Sequence, residues 1–158
     1  MSGDQPYEGH DGIALLLLTL AGVIATPGLF VYGVRVLIRA RRAGTRAAAL
    51  APAAVLTWAG VAGMYTWGLL HLFMSDDYGD SRACTAAAGT GRVVGYDPSF
   101  VPLEFGCRID DGRTAGVIVP GYVNPVLAVL AVCAVALTVR AITRRQEGTR
   151  AAVPAPLP

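Results

Sequence analysis

The chain has 158 residues, of which 54% are hydrophobic and only 15% are charged. A soluble domain carries roughly 25% charged residues, so this composition excludes one water-soluble core as the place for all the apolar side chains. The net charge of +2 is too small and too segregated to indicate nucleic-acid binding. Every basic residue is arginine, and alanine and glycine are abundant. We interpret this bias as that of a GC-rich bacterial genome.

Three long apolar runs predict three transmembrane helices, at residues 13–38, 47–74 and 123–143. A bilayer core of about 30 Å requires roughly 20 helical residues, and each run is about that long. The first run follows an acidic segment and exceeds the apolar length of a signal peptide, so we expect it to be retained. At the third, Asn124 is predicted as the N-cap and Pro125 as the first helical residue.

Arginine placement predicts how these helices are oriented. Residues 35–46 hold five arginines and no acid, and residues 140–150 hold four arginines and one acid. Ten of the eleven acids lie in residues 1–12 and 75–122. Arginine near helix ends stays cytoplasmic. We therefore expect a plasma-membrane protein with 1–12 and 75–122 outside the cytoplasm, an inner loop at 39–46 and a disordered cytoplasmic tail at 144–158.

Loop 75–122 carries the pattern of a small sheet. Apolar residues occupy every second position from Leu103 to Ile109, the period of a half-buried strand. The sequence from Asp110 to Arg113 has the Asp-Gly chemistry of a hairpin turn, followed by a return strand at 115–119. Residues 92–96 predict a third strand.

Two of the three cysteines lie in this loop. A domain near 40 residues rarely folds without a covalent staple, and the compartment outside the cytoplasm is oxidising. We therefore predict a disulfide between Cys84 and Cys107, while Cys133 lies in the third helix as an apolar packing residue. The predicted fold class is a membrane all-α protein, with three transmembrane helices and a small disulfide-stapled antiparallel β loop outside the cytoplasm.

The sequence bears on two kinds of chemistry, thiol redox and metal or haem binding. The loop cysteines lie 23 positions apart and form no Cys-x-x-Cys pair, which argues against a thiol-redox enzyme, and no catalytic residue is predicted. His71 is the sole ionisable residue of the second apolar run, and ionisable residues inside membranes are candidates for function. With His10, Asp76 and Asp77 on the same side, it forms a hypothetical metal or haem site. No pair of these residues has helical i, i+3 or i+4 spacing, so we assign no cofactor.

Transport is a further alternative. Pro27 and Gly28 can break the first helix, as in transporters, but three helices without a buried acid or a repeat make a poor pore unless they oligomerise. We prefer an accessory or interaction subunit in the lipid bilayer, whose outer loop docks a membrane-protein partner or a second copy of the chain. Small residues that favour close helix packing are Ala59, Gly63, Ala128 and Ala131.

Overall fold

A computed structural model describes residues 11–42, 49–74 and 77–151. The elements are α1 (Gly12–Arg42), α2 (Leu50–Met74), α3 (Asp77–Ala88), β1 (Val93–Phe100), β2 (Leu103–Ile109), β3 (Thr114–Gly116) and α4 (Val123–Ala151). Within these ranges three helices, α1, α2 and the Val123–Glu147 part of α4, are long and apolar enough to cross a membrane. This confirms the prediction of three such helices.

The chain divides into two compact units. The sheet unit comprises the described residues up to Val23 together with Gly63–Val126, and it contains α3 and all three strands. The helix unit comprises Ile24–Ala62 and the described residues from Leu127 onward. Each of α1, α2 and α4 contributes residues to both units.

The sheet is antiparallel, with strand order β1-β2-β3. The alternate residues from Leu103 to Ile109 are all buried, so the period-two pattern identified β2 correctly. β1 runs on to Phe100, four residues beyond the predicted strand, and β3 has three residues instead of five. Past β3 the Val117 N–H still donates to the Phe105 carbonyl at 3.2 Å, so the chain continues along β2 without regular pairing.

The predicted hairpin turn joins β2 to β3. The Ile109 N–H donates to the Arg113 carbonyl at 2.9 Å, and the Gly112 N–H donates to the Ile109 carbonyl at 3.0 Å. Gly112 has a φ of 83°, a left-handed conformation that glycine adopts without steric cost. The Asp-Gly sequence therefore serves the turn's backbone geometry.

Helix α3 was not predicted, because its segment was assigned to the loop. Its second half is rich in alanine, the best helix former, and the Thr85 hydroxyl donates to the Ser81 carbonyl at 2.8 Å. Gly89, at φ 60°, ends the helix as left-handed glycines commonly do. The alanine run followed by glycine is the sequence signal for this helix, and the loop prediction did not use it.

A disulfide between Cys84 and Cys107 joins α3 to β2 across a Cα–Cα distance of 5.6 Å, as predicted. Both cysteines are fully buried. Closing a loop of this length stabilises the fold by about 3 kcal/mol in the chain-entropy account. Around the bridge packs the core of the sheet unit, which includes Leu15 of α1, Leu69 and Leu72 of α2, and Leu103 and Phe105 of β2.

Glycines mark the closest helix contacts in each unit. In the sheet unit, a Cβ added at Gly22 of α1 would overlap the side chain of Thr66 of α2. In the helix unit, a Cβ at Gly33 would lie 2.8 Å from the Leu56 side chain. Small residues at such contacts let helix backbones approach closely, which is how helices associate in lipid.

Candidate functional site

The turn between β1 and β2 is held against α2 and α4 by three hydrogen bonds. The Tyr65 hydroxyl donates to the Phe100 carbonyl at 3.0 Å. The Leu103 N–H donates to Asn124 Oδ1, and Asn124 Nδ2 donates to the Leu103 carbonyl, both at 3.1 Å. Tyr65 lies nine residues before the end of α2 at Met74, so the turn reaches about 14 Å along that helix.

These bonds give the Phe100 carbonyl and the peptide groups of Leu103 partners within the protein. Beside helices that can cross a membrane, backbone groups without water must find partners inside the protein. The N-cap prediction for Asn124 was wrong. Helix α4 begins one residue earlier, at Val123, and the Asn124 amide pairs with a peptide group of β2 instead. Asn124 is the chain's sole asparagine, and this is the feature of the sequence that could have drawn attention to its side chain.

Packing reinforces this attachment. Leu103 is 1% exposed, and a Cβ added at Gly68 of α2 would overlap its side chain and lie 3.2 Å from Val123 of α4. Together with the disulfide, these contacts make β2 the fixed centre of the sheet unit. The strands can therefore present their exposed side chains in a defined geometry.

The exposed part of this framework has a concave region around Val94, which we call the Val94 surface. One groove of about 730 Å³ is lined by residues of α3, β1 and the β2–β3 turn, among them Thr85, Arg92, Val94 and Asp110. A second groove of about 340 Å³ lies between Val94, Arg108 and Asp110. The two grooves share Asp110 and Val94, and Val94 is an apolar side chain that is 43% exposed.

Charge surrounds this apolar centre. Asp110 Oδ1 accepts a hydrogen bond from the Arg92 backbone N–H at 3.1 Å. Arg113 Nε donates to Asp111 Oδ2 at 2.6 Å. Neither Arg92 nor Arg108 forms an ion pair with a residue that the structure describes. Their guanidinium groups are therefore available to an external carboxylate.

The carboxylate of Asp111 forms its hydrogen bonds within the β2–β3 turn. It accepts hydrogen bonds from the backbone N–H and from the side chain of Arg113, at 3.0 and 2.6 Å. These two bonds, the backbone one first, lower the pKa of Asp111 below its ordinary value of 3.8. Asp111 thus stays ionised and paired at neutral pH, and it serves the turn.

The hypothetical metal site cannot be assembled from described atoms. His10 and Asp76 lie outside the described residues, as does the side chain of Asp77. His71 is half-buried, its Nδ1–H donates to the Trp67 carbonyl at 2.9 Å, and its ring stands edge-on to the Trp67 ring. Among residues 11–42, 49–74 and 77–151 there is no group of three or more His, Cys, Asp or Glu that could hold a metal ion.

The predicted packing residues fall at different exposures. Ala59 is buried, Gly63 and Ala131 are half-buried, and Ala128 is exposed. Cys133 is a free cysteine on the exposed side of α4. The close-contact glycines at 22, 33 and 68 were missed, because small-residue spacing within one helix does not indicate which positions face a neighbour.

No family model, no curated protein and no solved structure matches this chain.

Proposed function

We propose that this protein is an accessory or interaction subunit of a bacterial plasma membrane and that it docks a partner protein through the Val94 surface. The observation that carries the proposal is an exposed apolar side chain at the junction of two grooves, flanked by Arg92 and Arg108. Protein interfaces combine a central apolar anchor with a polar rim, and arginine is enriched in them. The fitting partner presents an apolar side chain next to carboxylates.

The framework beneath this surface supports docking. Free energy of association is lost when loops must be ordered on binding, so a pre-ordered surface binds more tightly. Here the disulfide, the β1–β2 turn attachments and the hydrogen bonds between Arg92 and Asp110 order the segments on either side of Val94 before a partner arrives.

The proposal includes an orientation, with the N-terminus and the sheet unit's α3 and strands outside the cytoplasm and the C-terminus inside. It is supported by the distribution of arginine along the sequence, because arginine near helix ends stays cytoplasmic. Single cysteines at Thr90 and at Thr149, in a Cys133→Ala background, test it. In intact cells an impermeant maleimide should label the Thr90 site and spare the Thr149 site. Labelling of the Thr149 site alone would reverse the orientation.

A photo-crosslinking amino acid tests docking. Placed at Val94 in native membranes, it should give one discrete adduct with a second protein, and Arg92→Gln with Arg108→Gln should abolish that adduct. Val101, in the β1–β2 turn, provides the matched position, because it is also an exposed valine, at 86%. There the same probe should not give that adduct. Arg41→Gln with Arg42→Gln removes equal charge from the far end of α1 and should leave the Val94 adduct unchanged.

Three results would contradict docking of a different protein. The first is an adduct at Val94 with lipid alone. The second is an adduct equal at Val94 and Val101. The third is an adduct made of two copies of this chain, which would instead favour the homo-oligomer alternative. Metal or haem binding at His71 and His10, and transport by an oligomer, stay predictions that no described contact favours.

A further inference from the structure

The helix unit contains a cleft whose two compartments differ in chemistry. The first, of about 360 Å³, is bordered by Arg39 of α1 and by Arg144 and Arg145 of α4. The second, of about 330 Å³, is lined mainly by apolar and aromatic side chains from all three helices. Both compartments share Val36, Ala51, Ala141 and Arg145. Both compartments are lined mostly by apolar surface, and the arginines are concentrated at the first.

The basic compartment holds positive charge that no described residue neutralises. Arg39, Arg144 and Arg145 form no ion pair with any described residue. In residues 24–62 and 127–158 the sequence contains nine arginines and a single acid, Glu147. Three guanidinium groups at one cleft are suited to phosphate oxygens, which arginine binds through paired N–H donors.

The apolar compartment continues from these arginines toward the middle of the helices. Tyr32 lies two turns before Arg39 on α1, and Thr138 lies two turns before Arg145 on α4, so the compartment reaches about 10 Å beyond the basic end. Trp58 Nε1–H donates to Thr138 Oγ1 at 3.2 Å. This bond orients the indole ring so that its apolar body remains in the cleft wall.

We propose that this cleft binds an anionic phospholipid, with its phosphate at Arg39, Arg144 and Arg145 and the start of an acyl chain along Tyr32, Val55 and Trp58. Charge complementarity identifies the headgroup, and the adjoining apolar compartment requires a hydrocarbon chain bonded to it. Basic pockets between membrane helices bind such headgroups. The site is independent of the Val94 surface, and it needs no assumption about which side of the membrane is cytoplasmic.

Native mass spectrometry of the full-length protein in detergent tests the site. Phosphatidylglycerol and phosphatidylcholine with identical acyl chains are titrated separately. We expect retention of phosphatidylglycerol, and little of phosphatidylcholine. The triple variant Arg39→Gln, Arg144→Gln, Arg145→Gln should raise the half-saturating phosphatidylglycerol concentration by roughly 100-fold, at about fivefold for each arginine.

A second triple variant controls for net charge. Arg41→Gln, Arg42→Gln and Arg140→Gln remove three charges from the same two helices at positions that do not line the cleft, and they should leave retention unchanged. Equal losses in both triple variants would reduce the effect to general surface charge and overturn the site.

A third pair of variants tests the acyl compartment. Ala141→Phe fills the part that both compartments share, so it should abolish lipid retention while every arginine remains. Ala136→Phe adds the same ring on an exposed position of α4 outside the cleft and should leave binding intact. Equal binding by both phenylalanine variants would overturn the acyl position.

Soluble glycerol phosphate distinguishes a lipid from a free phosphate. If it displaces phosphatidylglycerol at equal concentration, the cleft is an anion site without an acyl compartment, and the proposal fails. Displacement of lipid by a second copy of the chain, seen as a dimer without lipid, would likewise overturn it. Retention of phosphatidylglycerol together with failure of glycerol phosphate to compete supports it.

Discussion

The hydrogen bonds between Asn124 and Leu103 make a quantitative prediction. Asn124→Leu keeps the branched outline of the side chain, with methyl groups in place of the amide oxygen and nitrogen, but leaves both the N–H and the carbonyl of Leu103 without a partner, at a residue that is 1% exposed. An unsatisfied buried polar group costs about 1–3 kcal/mol. Two such groups are left here, so we expect the β1–β2 turn to lose about 2–6 kcal/mol of local stability.

Hydrogen exchange measures this loss directly. At 1.4 kcal/mol for each factor of ten, a loss of about 2 kcal/mol or more means that amides in peptides that contain Leu103 should exchange at least roughly 30-fold faster in Asn124→Leu than in the wild type. The full-length protein is measured in detergent micelles. Gln146→Leu makes the same kind of change on an exposed position of α4, so exchange around Leu103 should not respond to it.

Asn124→Asp separates hydrogen bonding from packing. It keeps the shape and one acceptor oxygen, but it replaces the Nδ2 donor with an oxygen that faces the Leu103 carbonyl. Exchange around Leu103 should therefore accelerate in this variant too. Wild-type exchange rates in both Asn124→Leu and Asn124→Asp would refute the reasoning, because the turn would then be held without this amide.

Three further predictions concern the sheet unit. Replacing Cys84 and Cys107 together by alanine should lower the free energy of unfolding by about 3 kcal/mol, and a loss near zero by denaturant titration would argue against the staple. Thr19 has a buried hydroxyl without a partner among the described residues, so Thr19→Val should raise thermal stability by about 1 kcal/mol; a lower melting temperature would contradict this. Because Asp111 has a lowered pKa, the stability that it contributes is present above its unfolded pKa and is lost as pH falls through its folded pKa. The protection factor of the Arg113 amide, which is its intrinsic exchange rate at each pH divided by the observed rate, should thus fall in that acidic range in the wild type, with no such pH step in Asp111→Asn.

Much of the secondary structure could be predicted from the sequence, because it follows from local physical constraints. Crossing a bilayer requires a long run of apolar residues, so three spanning helices could be recognised by counting. A half-buried strand alternates its side chains, which identified β2 from Leu103 to Ile109. The Asp-Gly pair indicated the hairpin turn, and the presence of two cysteines in one small loop indicated the Cys84–Cys107 bridge.

The sequence did not predict helix α3 or the ends of β1 and β3. In residues 77–88 the alanine run favours a helix, and the assignment of residues 75–122 to a β-rich loop did not take it into account. Pairing with β2 extends β1 to Phe100, and three residues suffice for β3 because Val117 to Val119 pack against the core without regular pairing. The length of a strand depends on the strand with which it pairs, and the local sequence pattern does not carry that information.

The sequence by itself determined the three apolar helices, the period of β2 and the turn after it, because each depends on residues close together in the chain. It also determined the pairing of Cys84 with Cys107, because the loop contains only these two cysteines. Tertiary structure alone decided the role of Asn124, which is 21 positions from Leu103, and the two grooves that meet at Val94. It also decided which arginines border the cleft of the helix unit. Hydrogen bonds and clefts of this kind form between elements, and they exist only once packing has brought distant residues to within a few ångströms of one another.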